Sequence, residues 1–209
     1  MAMTLNEGKK TLRNMLGLAL ADFGFSEEKE LVYTKPHGDG AVWKLTFPCR
    51  LDQNKSLKVS CFVGVSYYEV ESLLRPENLE AGEVIATIMK PIHTLRCDDQ
   101  FREWTLKDAE SQEVIGNEII ADINSVAIPF WDKYSSLKEV KSDLEKNDPS
   151  HWFILSPEQR VATLAAIVFT QGDKQKSLKL LDDAIQERAD AHPKKNRLLK
   201  EIHKNILAT

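Results

Sequence analysis

Apolar residues recur at helical spacing near the start of the chain: Leu5, Leu12, Met15, Leu16, Ala19, Leu20 and Phe23. The pattern predicts an amphipathic helix over residues 5–22, with Gly24 as its stop. The period then changes from about 3.6 to about two. Leu31 and Tyr33 alternate within Glu30–Lys35. Val42, Trp43, Leu45, Phe47 and Cys49 mark a second strand over Ala41–Arg50, and Leu57, Val59, Cys61, Val63 and Val65 share one face of a third, Leu57–Tyr67. Pro36-His37-Gly38-Asp39-Gly40 and Asp52–Lys55 supply turn chemistry between them. Residues 31–67 therefore read as an antiparallel meander.

Glu69–Gly82 is acid-rich and reads as a loop or short helix. Glu83–Arg96 is apolar but interrupted by Pro91, which predicts a strand on each side of the proline. Phe101–Leu106 reads as a further short strand. In Ser111–Ala127 the residues Ile115, Ile119, Ile123 and Val126 line one side of a helix, with Glu118 and Asp122 opposite. After Pro129 the pattern is helical again. Ser136 and Glu139 stand at capping-box spacing, and Asp148-Pro149 ends that helix. Ser156-Pro157-Glu158-Gln159 is a strong start signal, with Ser at the N-cap, Pro at the first helical position and Gln at the third. Three helices follow, over about Pro157–Thr170, Lys174–Ala189 and Lys194–Leu207. Leu178, Leu181 and Ile185 form a stripe on the second, and Leu198, Ile202 and Ile206 on the third.

These elements predict an α+β fold. An N-terminal helix precedes an antiparallel sheet of four to six strands with a covering helix, and a C-terminal helical bundle follows. The expected division is an α+β domain over 1–148 and a helical subdomain over 149–209 packed on it. With 209 residues, the chain can bury a core without a metal or disulfide.

Composition narrows the class. The net charge of −4 argues against a nucleic-acid binder, since phosphate contacts need a basic surplus. No apolar run approaches the length of about 18 residues that a membrane span needs. The N-terminus lacks the order of charge and apolar core that a signal peptide shows. Cys49, Cys61 and Cys97 are odd in number and scattered, which predicts reduced thiols and a cytoplasmic location.

Candidate chemistries are few. His93 and Cys97 form the one local pair of zinc-ligand types, and only Cys49 and Cys61, across the meander, could join them. No Cys-x-x-Cys is present, so no metal and no cofactor are expected. Cys97 lies beside Arg96, but Asp98 and Asp99 oppose a thiolate there. No Gly-x-Ser-x-Gly elbow or phosphate-binding glycine loop occurs, and Gly38-Asp39-Gly40 reads as a hairpin turn. Glu27-Glu28, Asp98-Asp99 and Asp182-Asp183 read as solvated faces, the last paired with Lys176 and Lys179. Phe130-Trp131 and Trp152-Phe153 read as core seals at the junction of substructures. No catalytic residue is predicted.

Two segments resemble a known family. Leu20, Gly24-Phe25 and Tyr33 are similar to the opening of an uncharacterised bacterial family, a domain of unknown function. Pro129-Phe130-Trp131-Asp132-Lys133-Tyr134-Ser135 resembles the later signature of the same family, over about residues 5–145 in all. The resemblance implies an α+β domain with no assigned activity, and some similar domains act in bacterial toxin and immunity systems. Ala165–Ile185 resembles the helical hairpin of a tetratricopeptide repeat without its early Trp. One such unit makes a hairpin, not a solenoid.

Charge is segregated. From Glu69 to Asp122 acids outnumber bases, whereas the last helix carries Lys194, Lys195, Arg197, Lys200 and Lys204. An acidic face steers a basic protein partner. The expected function is a non-enzymatic protein-binding module of toxin-neutralising, immunity type. Its candidate partner-binding residues are Glu69, Glu71, Asp98, Asp99, Glu103, Asp108 and Trp104. Two alternatives stay open. One is an enzyme or small-molecule binder with a cleft holding His93, Cys97 or Trp104. The other is a structural homodimer formed through the C-terminal helices.

Overall fold

In the computed structural model the described residues are 3–74, 86–96, 103–107, 109–146, 156–187 and 196–209. The fold is α+β, with an N-terminal helix, a five-stranded antiparallel sheet, a second small sheet and C-terminal helices. Helix α1 (Leu5–Asp22) starts on a capping box that the sequence analysis missed. Thr4 Oγ1 accepts from the Glu7 amide, and the Glu7 carboxylate accepts from the Thr4 amide at 2.8 Å. Its end is where Gly24 predicts it. Gly24 has φ +78°, its N–H donates to Ala21 O, and the Phe25 N–H donates to Leu20 O. This is a Schellman closure, which needs a left-handed residue that only glycine adopts without strain.

The strands depart from a simple meander. A short polar strand, β1 (Ser26–Lys29), pairs with β2 (Val32–Pro36), and β2 pairs with β3 (Ala41–Thr46). Strand β1 escaped the hydrophobic pattern because it is largely exposed. The expected strand over Ala41–Arg50 divides at Phe47-Pro48 into β3 and β4 (Cys49–Leu51), since Pro48 has no N–H to offer a ladder. The expected strand over Leu57–Tyr67 divides at Ser60-Cys61 into β5 (Leu57–Val59) and β6 (Phe62–Tyr67). The β4–β5 hairpin leaves for the second sheet, of order β4-β5-β8, with β8 at Trp104–Leu106. The large sheet then has order β1-β2-β3-β6-β7, with β7 at Ile88–Pro91. After Pro91 the chain forms a 3-10 turn, Ile92–Leu95, rather than the expected strand.

Helix α3 (Ala109–Asp122) runs into a π-helical turn, Ile123–Ala127, and then α4 (Ile128–Lys133). Pro129 does not begin a separate element. It removes one amide from the ladder, and the wider π register ahead of it absorbs the loss, with the Ile128 N–H donating to Ile123 O. Helix α2 is Tyr68–Leu74 and α5 is Leu137–Lys146. The Ser136 hydroxyl accepts from the Lys138 amide, not from Glu139 as capping-box spacing predicts. Helices α6 (Pro157–Thr170), α7 (Lys174–Glu187) and α8 (Arg197–Ala208) follow. The Ser156–Gln159 capping box at α6 is formed in both directions. On α7 the buried residues are Ser177, Leu181 and Ala184, and on α8 Leu199, Ile202 and Ile206. Each stripe is rotated from the expected one, which put Leu178, Ile185 and Leu198 inside.

Two compact units make up the chain. One is Met1–Gly38, Val42–Gly64 and Lys90–Lys133; the other is Asp39–Ala41, Val65–Met89 and Tyr134–Thr209. The core of the first holds Leu12, Leu16, Leu45, Phe47, Ile119 and Trp131, and Phe130 beside Trp131 is buried as well. The core of the second holds Val65, Val70, Leu74, Leu144, the inner face of α6 from Ala162 to Val168, and Ile202.

Candidate functional site

Strand β6 and helix α2 meet at two adjacent tyrosines with opposite fates. In β6 Val65 and Tyr67 are buried, and the Tyr67 hydroxyl donates to Tyr134 O at 2.7 Å. Tyr68 opens α2 and is 82% exposed. The inner face of α2 is set by Val70, Glu71 and Leu74, which leaves Tyr68, Glu69 and Ser72 in solvent.

A buried polar network holds that inner face. The Tyr67 amide donates to Thr87 Oγ1 at 2.9 Å, and the Thr87 hydroxyl reaches Glu71 Oε1 at 3.5 Å. Tyr134 closes the other side, donating to Asp143 Oδ2 at 2.7 Å, while Lys146 Nζ lies 2.7 Å from Asp143 Oδ1. Burial and the bond to the Asp143 carboxylate both raise the Tyr134 hydroxyl well above the ordinary phenol range. Tyr134 therefore stays a neutral donor. These contacts are structural: they fix α2 and its exposed edge.

The predicted partner-binding residues that the structure describes differ in environment. Glu69 is exposed beside Tyr68. Glu71 is buried at 8% exposure and bonded to Thr87. Glu103 pairs with Arg50 at 3.0 Å. Trp104 is buried, and its Nε1 donates to Glu118 at 3.0 Å, so it presents no indole to a partner. Glu71 and Trp104 are thus spent on internal bonds. Asp98, Asp99 and Asp108 lie outside the described residues, as do Cys97, Lys194, Lys195 and the pair Trp152-Phe153. Glu118 and Asp122, expected on the outer side of α3, face inward instead. Glu118 meets Trp104, and Asp122 meets Arg96 at 2.5 Å.

Cys49 sits opposite Val59 in the β4–β5 register, and burial pushes its thiol up. Cys61 is buried and its thiol is raised further, first by burial and then by Asp122. Neither has the lowered pKa of a nucleophile. Among the described residues no three His, Cys, Asp or Glu side chains are grouped to hold a metal ion. No helix of the described residues is long and apolar enough to cross a membrane. Asp182 and Asp183 are engaged, Asp182 with His203 at 3.1 Å and Asp183 with Lys179 at 2.8 Å.

Tyr68 is the residue that sequence reasoning missed. It falls one step beyond the alternation of Val63, Val65 and Tyr67, where an inward residue is not due. That outward place in the alternation was the available signal.

Compared with known proteins, the chain matches no protein family, no curated protein and no solved structure. Its class is therefore defined by its architecture, an α+β fold.

Proposed function

We propose that the chain is a non-enzymatic protein-binding module whose contact point is the start of α2, with a basic partner as for a toxin-neutralising protein. The observation that carries this reading is Tyr68, 82% exposed next to the exposed Glu69 on a helix whose opposite face is locked inside. Tyrosine is enriched among residues that dominate binding energy, because it offers large area at low entropic cost. Glu69 adds the charge that steers a basic surface. The resemblance of the Gly24-Phe25 and Pro129–Ser135 segments to the unassigned bacterial family points the same way.

The test is affinity capture from the source organism with the tagged chain and with a Tyr68→Ala, Glu69→Lys double variant, at low and high salt. The expected result is one basic protein held at low salt by the parent chain, released at high salt and absent with the variant. Equal capture by parent and variant, or no specific protein at either salt, would overturn the reading.

A further inference from the structure

Of the described Phe, Tyr and Trp residues, Tyr68 is the one left exposed; the others are buried or half-buried. Among the described residues no hydrogen bond, ion pair or ring contact engages its side chain. The Glu69 carboxylate is equally unengaged. Elsewhere acids hold cations of their own chain: Glu27 meets Arg13 at 2.6 Å, Glu30 meets Lys9 at 2.6 Å, Glu103 meets Arg50 at 3.0 Å and Asp183 meets Lys179 at 2.8 Å. Glu69 is the free acid that adjoins the exposed ring.

The helix keeps that ring uncovered. Helical side chains lean toward the N-terminus, so Ser72, one turn on, is the residue placed to shield Tyr68. Ser72 is small and exposed, and its hydroxyl donates to Glu69 O at 2.9 Å. A long side chain there would lie along the phenol; the serine does not reach it.

The two free groups suit one kind of ligand. The face of a phenol attracts a cation through its quadrupole. A carboxylate attracts the same cation and repels an anion. A guanidinium meets both demands. It is planar and weakly hydrated, so it lies flat on a ring, and its N–H edge stays free to fork onto a carboxylate. A lysine ammonium is a compact, strongly hydrated charge that gains less from the ring. Consecutive residues on a helix splay apart. Glu69 has no fixed partner, so its side chain is free to swing toward the guanidinium edge.

This step rests on the reading of the α2 edge as the contact point. We propose that the residue this edge takes from its basic partner is an arginine, with the guanidinium stacked on Tyr68 and its N–H edge donating to the Glu69 carboxylate.

The probes are two capped pentapeptides of equal charge, Gly-Arg-Gly-Arg-Gly and Gly-Lys-Gly-Lys-Gly, titrated at low salt into the isotope-labelled full chain. The arginine peptide should shift the Tyr68 ring resonances, assigned with Tyr68→Leu, and its δ protons should show NOEs to that ring. The lysine peptide should bind there about threefold more weakly. In Tyr68→Leu the two peptides should bind alike. In Glu69→Gln both should weaken, while arginine keeps its lead through the ring. Both positions are exposed, and unchanged amide resonances elsewhere report that each variant is folded. Equal binding of the two peptides, an arginine peptide that perturbs other residues but not Tyr68, or an arginine preference that survives Tyr68→Leu would overturn the proposal. If the Tyr68→Ala, Glu69→Lys variant still loses its captured partner in those cases, the arginine fails and the contact point stands.

Discussion

The Tyr67 hydroxyl donates to the main-chain oxygen of Tyr134 at 2.7 Å, joining the end of β6 to the segment before α5 across 67 residues of sequence. Both groups are buried, so the bond cannot be replaced by water. Tyr67→Phe should therefore cost about 1–3 kcal/mol, the penalty of a stranded buried acceptor. Tyr68→Ala, one residue on, should stay within about 0.5 kcal/mol of the parent. Urea denaturation of the two variants side by side checks the contrast, and a reversed order would refute the placement of the two rings.

A second expectation concerns alkaline pH. Burial pushes the Tyr33 hydroxyl up to about 12, with Glu27 adding to it. An unfolded tyrosine loses its proton near pH 10. Between those values the folded chain binds more protons than the unfolded one, so stability falls as pH rises. The contribution is fully present below the unfolded value and is lost on the way up through the folded one. Tyr33→Phe should flatten this alkaline slope. Since the buried hydroxyl has no partner among the described residues, the same change should be neutral or stabilise by up to about 1 kcal/mol at pH 7. Denaturant midpoints at pH 7 and pH 11 measure both effects.

Arg96 and Asp122 make a third case. Their side chains meet at 2.5 Å, with the carboxylate buried and the guanidinium partly in solvent. Removing the cation leaves a buried charge with reduced compensation, which costs more than an exposed pair is worth. Arg96→Ala should lower stability by about 1–3 kcal/mol. Arg96→Lys should recover part of it. A midpoint unchanged in Arg96→Ala would show that the pair is idle.

Leu31 sets two effects against each other. Its φ is +60°, a left-handed conformation that costs a non-glycine residue about 1–2 kcal/mol. Yet its side chain is buried at 4% exposure. The Leu31 amide donates to Glu27 Oε1 at 3.1 Å, and its carbonyl accepts from the Phe47 amide at 3.0 Å, which hold the strained geometry. Leu31→Gly would relieve the strain but lose about 2–5 kcal/mol of core packing. Burial wins, and the variant should be less stable. A more stable Leu31→Gly would mean that strain dominates this turn.

The limits of sequence reading show in particular residues. The heptad-like stripe of α1, the Gly24 stop and the Ser156–Gln159 cap were all legible, because each depends on residues within one or two helical turns. Asp122 was not. A charged residue at an outward helical position is expected in solvent, and the ion pair with Arg96, 26 residues away in sequence, helps to offset its burial. Of the candidate partner-binding set, Glu69 is exposed, but Glu71 and Trp104 are turned inward by Thr87 and Glu118.

Local chemistry determined where the helices begin and end and which strands alternate, since caps, turns and periodicity act over a few residues. Tertiary structure decided that the strand-like run Leu57–Tyr67 breaks at Ser60, and that the pieces of this run and of Ala41–Arg50 separate into two sheets. It also decided that α3 passes through a π turn before Pro129, and that Asp122 is buried against Arg96. Strand pairing and burial are contests between segments far apart in the chain, and a backbone amide takes whichever partner the whole fold brings to it.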